Sequence, residues 1–138
     1  MELKPFDFDP ALAAAFLRFG FEHYAGDRGW IPPNKAMLSA QLAPGFGFYR
    51  KAGNHHRHFL CTSGSKLLGR VSAFVNADLR DRDGTGVGAV GLFECVEDEA
   101  VGRELLDAAC SAYFVDDEAG AIAPPKRKAA VRPQMDIH

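Results

Sequence analysis

Near residue 57 of this 138-residue chain the hydrophobic pattern changes period, and that change decides what the chain can build. Upstream, Leu12, Ala15, Phe16 and Phe19 recur at helical spacing after an Asp9–Pro10 start, which predicts a helix over 10–23. Gly20 interrupts that helix at a cost of up to about 1 kcal/mol relative to Ala. A second short helix is expected after Asn34, stopped by Pro44 and Gly45. Downstream the period falls to 2. "RHFLCTSG" (57–64) and "KLLGRVSAFVNADL" (66–79) read as two strands joined by a tight Gly-Ser turn. In the second strand Leu67, Gly69, Val71, Ala73 and Val75 are expected on one face, and Leu68, Arg70, Ser72, Phe74 and Asn76 on the other.

A third strand over 87–96 then leads, almost without a loop, into an amphipathic helix over 98–113, striped by Val101, Leu105, Ala108, Ala109 and Ala112. Residues 2–7 suit a short first strand. The expected order is β-α-α-β-β-β-α: an α+β arrangement, an antiparallel meander with helices on both faces. This organised part spans 1–115. From 116 to 138 periodicity fails in an irregular tail rich in Pro and basic residues.

Several functional classes drop out at this level. A formal charge of −2 offers no general attraction to nucleic acid, and the basic side chains Lys126, Arg127, Lys128 and Arg132 have no interleaved aromatics. No apolar run approaches the roughly 20 residues that span a bilayer. The N-terminus lacks the order of a signal peptide. Cys61, Cys95 and Cys110 are an odd number without a CxxC pair, which fits a reduced, cytoplasmic protein.

Two motifs mimic chemistry. "GVGAVG" (86–91) matches a dinucleotide pattern but lacks the strand before it and the helix opening at it that the pattern needs, so it is a chance match. "HHRH" (55–58) turns His56 and His58 to one side of a strand, with no third metal ligand near; a polar strand entrance is the simpler reading.

The helix ending at Tyr24, the turn "GWIPP" (29–33), the strand "LGRVSAFVN" (68–76) and the segment "GLFECVEDEAV" (91–101) come in an order that resembles the GNAT superfamily of acyl-CoA-dependent N-acyltransferases, in particular a bacterial branch of it. The likeness covers residues 10–115. It implies a GNAT-like fold without the C-terminal strands, and a truncated or degenerate N-acyltransferase-like domain whose amine acetylation is at most weak. Acetyl-CoA or another acyl-CoA would lie along the third strand, held by the main chain of Phe93, Cys95 and Val96, with a small amine as acceptor. Glu94 is the candidate general base; its alternative role is an edge carboxylate paired with Arg70 or another base. The glycine-rich turn that holds pyrophosphate in that superfamily is replaced here by "VEDEAVGREL". Five acids and one base over 94–104 make that turn negative, which suits helix capping and opposes a phosphate. The rival reading is a non-catalytic interaction module that dimerises through an exposed strand edge.

Overall fold

In the computed structural model, described over residues 1–84 and 86–112 and over the backbone of 114–115 and 122–123, the helices start where their capping residues put them. Helix α1 (Pro10–His23) has Asp9 as N-cap, its Oδ1 accepting from the Leu12 N–H at 3.0 Å. Helix α2 (Lys35–Gln41) is capped the same way, Asn34 accepting from the Met37 N–H. A single helical turn, α3 (Gly47–Arg50), follows. It was not expected, because one turn is too short to show a period and its flanking glycines read as loop.

Four antiparallel strands stand side by side in chain order: β1 (Glu2–Phe6), β2 (His55–Ser63), β3 (Lys66–Arg80) and β4 (Gly86–Cys95). The Gly64–Ser65 turn closes the β2–β3 hairpin, with Gly64 at φ 59°, a value that favours glycine. "GVGAVG" lies inside β4, so no helix opens at it. Helix α4 spans Glu99–Cys110, ending three residues before the expected 113; Ser111 caps it, its N–H bonding the Asp107 and Ala109 carbonyls. Beyond it, β5 (Phe114–Val115) and β6 (Ile122–Ala123) form a separate two-stranded ladder. The tail over 116–138 otherwise lies outside the described residues, as do its basic side chains.

The sheet carries a core on each face, as the α+β reading requires. On one face Phe59, Cys61, Val71 and Ala73 pack against Val101, Leu105 and Ala109 of α4. On the other, Phe6 and Leu60 pack against Ala15 and Phe16 of α1 and against Leu42, the residue that ends α2. The expected faces of β3 hold from Gly69 onward and fail before it. Cys61 pairs with Gly69 but Thr62 with Leu67, so Leu68 is an extra residue, a β-bulge. Its effect is a flip: Leu67 packs on the α1 side and Leu68 on the α4 side.

Gly69 sits where β4 and α4 close in on β3, with no space for a side chain. A Cβ there would lie 2.7 Å from Leu105 Cδ1, 2.8 Å from Cys95 Cβ and 2.9 Å from the Glu94 carbonyl oxygen. The α1 face also buries an imidazole. His58 is fully buried among the rings of Phe6, Phe16 and His56, with centroids 5.1–5.3 Å away, and its Nδ1 lies 2.7 Å from Ser72 Oγ. Burial holds its pKa down to about 4.

Two outcomes follow from these positions. Gly69→Ala must push β4 or α4 away, and is expected to cost about 1–3 kcal/mol in urea unfolding; a loss below a few tenths would show that the junction yields freely. Unfolded His58 protonates near 6.5 and folded His58 near 4, so the unfolded state binds more protons between those values. Stability is then flat above about pH 6.5 and falls toward pH 4, by about 3 kcal/mol in total from this ring. Urea midpoints measured across that window for the wild type and for His58→Phe test it; an unchanged slope in the variant would assign the loss to other groups.

Candidate functional site

A second bulge shapes the end of β4. Arg70 pairs with Glu94 and Ser72 with Gly91, so two steps on β3 answer three on β4. Leu92 absorbs the difference at φ 55°, the one non-glycine residue with positive φ among the described residues. Such a conformation costs a leucine about 1–2 kcal/mol, repaid here in part because Leu92 packs into the α1 core. Gly91 lies under the Phe74 ring, on the same side as Leu92. The alternation then resumes: Phe93 turns to α4 near Gly102, Glu94 to α1, and Cys95 back to α4.

Glu94 therefore meets the C-terminal end of α1. The Tyr24 hydroxyl donates to Glu94 Oε2 at 2.5 Å. That hydrogen bond, with burial and the carboxylate charge adding to it, pushes the Tyr24 pKa up to about 12. The Tyr24 ring stacks on Trp30, centroids 5.2 Å apart and 21° between planes, and Trp30 stands edge-on to Phe21. The "GWIPP" turn is thus folded back onto the helix it follows.

Arg70, the register partner of Glu94, does not form with it the pair that the alternative reading of Glu94 named first. Among the described residues it makes no ion pair within 4.0 Å. Its Nη1 donates to the Phe16 carbonyl at 2.9 Å, and its guanidinium lies 5.1 Å from the centre of the Phe16 ring. Burial lowers its pKa, against the opposing pull of Glu94. Sequence reasoning singled out Glu94 but not its hydrogen-bond partner Tyr24. The signal was present, an amphiphilic tyrosine closing a helix, yet 70 residues of separation hide the contact.

The other expected positions divide. Phe93 is partly exposed, and β4 is the outer strand of the four-stranded sheet. The Val96 main chain is engaged within the protein: its N–H donates to the Leu68 carbonyl at 2.9 Å, and its carbonyl accepts from the Asp98 N–H at 2.7 Å. The Cys95 thiol is raised by burial, then by Glu94 and Asp98. The acidic junction caps α4, with Asp98 Oδ1 accepting from the Ala100 N–H at 2.9 Å and Glu99 paired with Arg103.

His56 and His58 do face one way, but His58 is buried against Ser72 and the His56 ring stacks on Tyr49. Among the described residues no group of three or more His, Cys, Asp or Glu side chains is arranged to hold a metal, and no helix is long and apolar enough to cross a membrane.

Comparison with known proteins adds no relative: no family model matches the chain, and neither does any curated protein or solved structure.

The Tyr24–Glu94 bond has an optical consequence. Ultraviolet titration should show Tyr24 ionising near pH 12, with Tyr49, raised by burial, in the same range. Glu94→Gln removes the carboxylate and should bring Tyr24 down toward 10, its ordinary value, leaving Tyr49 in place. Identical titrations of the two proteins would mean that Tyr24 and Glu94 are not bonded in solution.

Proposed function

We propose that this chain is a GNAT-like acyl-CoA N-acyltransferase domain of low activity, acting in a reducing cytoplasm on a small amine. The observation that carries the reading is the Glu94 carboxylate beside the bulge of an outer strand, held through one oxygen by Tyr24. A bulge leaves its extra residue out of the ladder, so main-chain groups near Phe93 become available for an extended ligand lying along β4. The described cysteines are all free thiols, which suits the compartment.

In this reading acyl-CoA is the donor substrate and supplies the acyl thioester. Main-chain groups of Phe93 and Cys95 hold it; Val96, whose N–H and carbonyl are already used, drops out of the expected set. Glu94 Oε1, which has no partner among the described residues, accepts the proton of the acceptor amine as nitrogen attacks the thioester carbonyl. The C–S bond breaks and the CoA thiolate leaves. Tyr24 positions Glu94, and its raised pKa keeps it a donor at every working pH. The acidic start of α4 excludes the pyrophosphate from the usual place and accounts for weak donor binding and low activity.

One observation favours a second reading. Gly86–Phe93 of β4 carries no charged side chain, and Val87 and Phe93 are each 38% exposed, so the outer edge has little to repel another strand. In that case the chain is a dimerising module of the same fold.

Calorimetric titration with acetyl-CoA and with CoA, with light scattering on the same sample, separates the two. The acyl-transfer reading expects saturable heat from a monomer, and a Glu94→Gln variant that binds acetyl-CoA unchanged while amine acetylation falls by about 100-fold or more. No heat at millimolar ligand together with a discrete dimer would overturn it in favour of the module.

A further inference from the structure

Arg70 is buried, 5% exposed, and short of partners. A guanidinium carries five donor hydrogens and stays charged at any ordinary pH. Here Nη1 is used by the Phe16 carbonyl, whereas Nε is buried without a hydrogen-bond partner. Nη2 lies beside Gly20 and likewise bonds nothing among the described residues. Nε and Nη2 share one edge of the guanidinium, the edge that takes a carboxylate side-on through two parallel hydrogen bonds. A cation buried in this state is costly until an anion completes it.

Gly20 and Trp30 flank that edge at Nη2. Gly20 lies buried within α1, and a Cβ built on it would stand 3.6 Å from both Arg70 Nη2 and Trp30 Cζ2, an ordinary van der Waals distance. Packing therefore does not demand glycine here, and helix propensity argues against it. What the missing methyl leaves is the space of one carbon between the guanidinium and the indole, so a carboxylate can be seated there only when Trp30 turns away. Trp30, half-buried in the α1–α2 connection, is the side chain that must turn for a ligand to enter. Next to this room stands the Tyr24–Glu94 pair. Arg70 and Glu94 are opposite one another on neighbouring strands, a relation that puts Cβ atoms about 5 Å apart. A cationic and an anionic group so spaced match a small molecule carrying the opposite charges at short range.

We infer that the acceptor is a small zwitterionic amine, an α-amino acid or close analogue, its carboxylate seated on the Nε–Nη2 edge of Arg70 beside Gly20 and Trp30 and its amine turned to Glu94. The inference rests on the acyl-transfer reading for the reaction, but not for the binding.

Trp30 is the chain's one tryptophan, so its fluorescence reports the seat directly. The test titrates the full chain, without CoA, with common α-amino acids and with the carboxamide of each. At least one acid should give a saturable change, with its carboxamide binding at least tenfold more weakly. Gly20→Ala should keep the fold, with an unchanged circular dichroism spectrum and a thermal midpoint no lower than the wild type, yet weaken that acid at least tenfold. Arg70→Lys should weaken it as well. The inference is overturned if no acid saturates, if acid and carboxamide bind alike, or if the folded Gly20→Ala protein binds as the wild type does. An amino acid that binds while calorimetry finds no CoA binding would keep the seat and remove the transfer reaction; CoA binding with no amino-acid response would do the reverse.

Discussion

The close approach of three elements at Gly69 governs the geometry of this fold. Because β3 has no side chain at that point, Leu105 of α4, the Cys95 side chain and the Glu94 main chain converge on it. The convergence fixes how far β4 lies from β3 and how deep α4 sits on the sheet. It thereby fixes where Glu94, paired across to the very next residue of β3, emerges on the opposite face. A side chain at 69 would shift the whole end of β4, and with it the carboxylate that Tyr24 holds. The glycine of "LGRV" is thus a packing requirement, and the arginine after it is the residue that the packing delivers to the other face.

Two bulges make the sheet serve two different cores. Leu68 on β3 and Leu92 on β4 each add one residue to their strand. At the first, Leu67 is sent to α1 and Leu68 to α4; at the second, Gly91 and Leu92 both face α1 and Glu94 is returned to that side. Strict alternation through "KLLGRV" or "GLFEC" would put the wrong residue in each core. This is why the period-2 pattern identified the strands and their order but misassigned the start of β3. A bulge changes parity without changing composition, so a pattern of apolar and polar letters does not register it.

The candidate site was legible to the same partial degree. Glu94 comes from the family resemblance, which implies a glutamate base on this strand, and the acidic junction after it reads as capping from the preference of helix N-termini for negative charge. Asp98 and Glu99 perform that role. Tyr24, Trp30, Gly20 and Arg70 are different. Each has an adequate local explanation as a helix end, a turn aromatic, a helix blemish or a strand cation. Only the packing of α1 across β3 and β4 brings them to one place, and contacts over such separations leave no local periodicity. α3 escaped for the opposite reason: it is purely local and too short.

The unexpected relation between Arg70 and Glu94 bears on what the site can do. Opposite charges in register on neighbouring strands ordinarily pair, and a direct bidentate pair would satisfy both groups and leave neither for a ligand. Here the Tyr24 hydroxyl takes one oxygen of Glu94, and the Phe16 carbonyl and ring take one nitrogen and one face of Arg70. Each charged group is held in place by a neutral partner and keeps part of its bonding capacity. The fold bears the cost of an incompletely satisfied buried cation, and it does so beside Gly20, a glycine that also forgoes helix stability. Both costs fall beside Trp30, and a ligand with a carboxylate and an amine would relieve the first once the indole turns away.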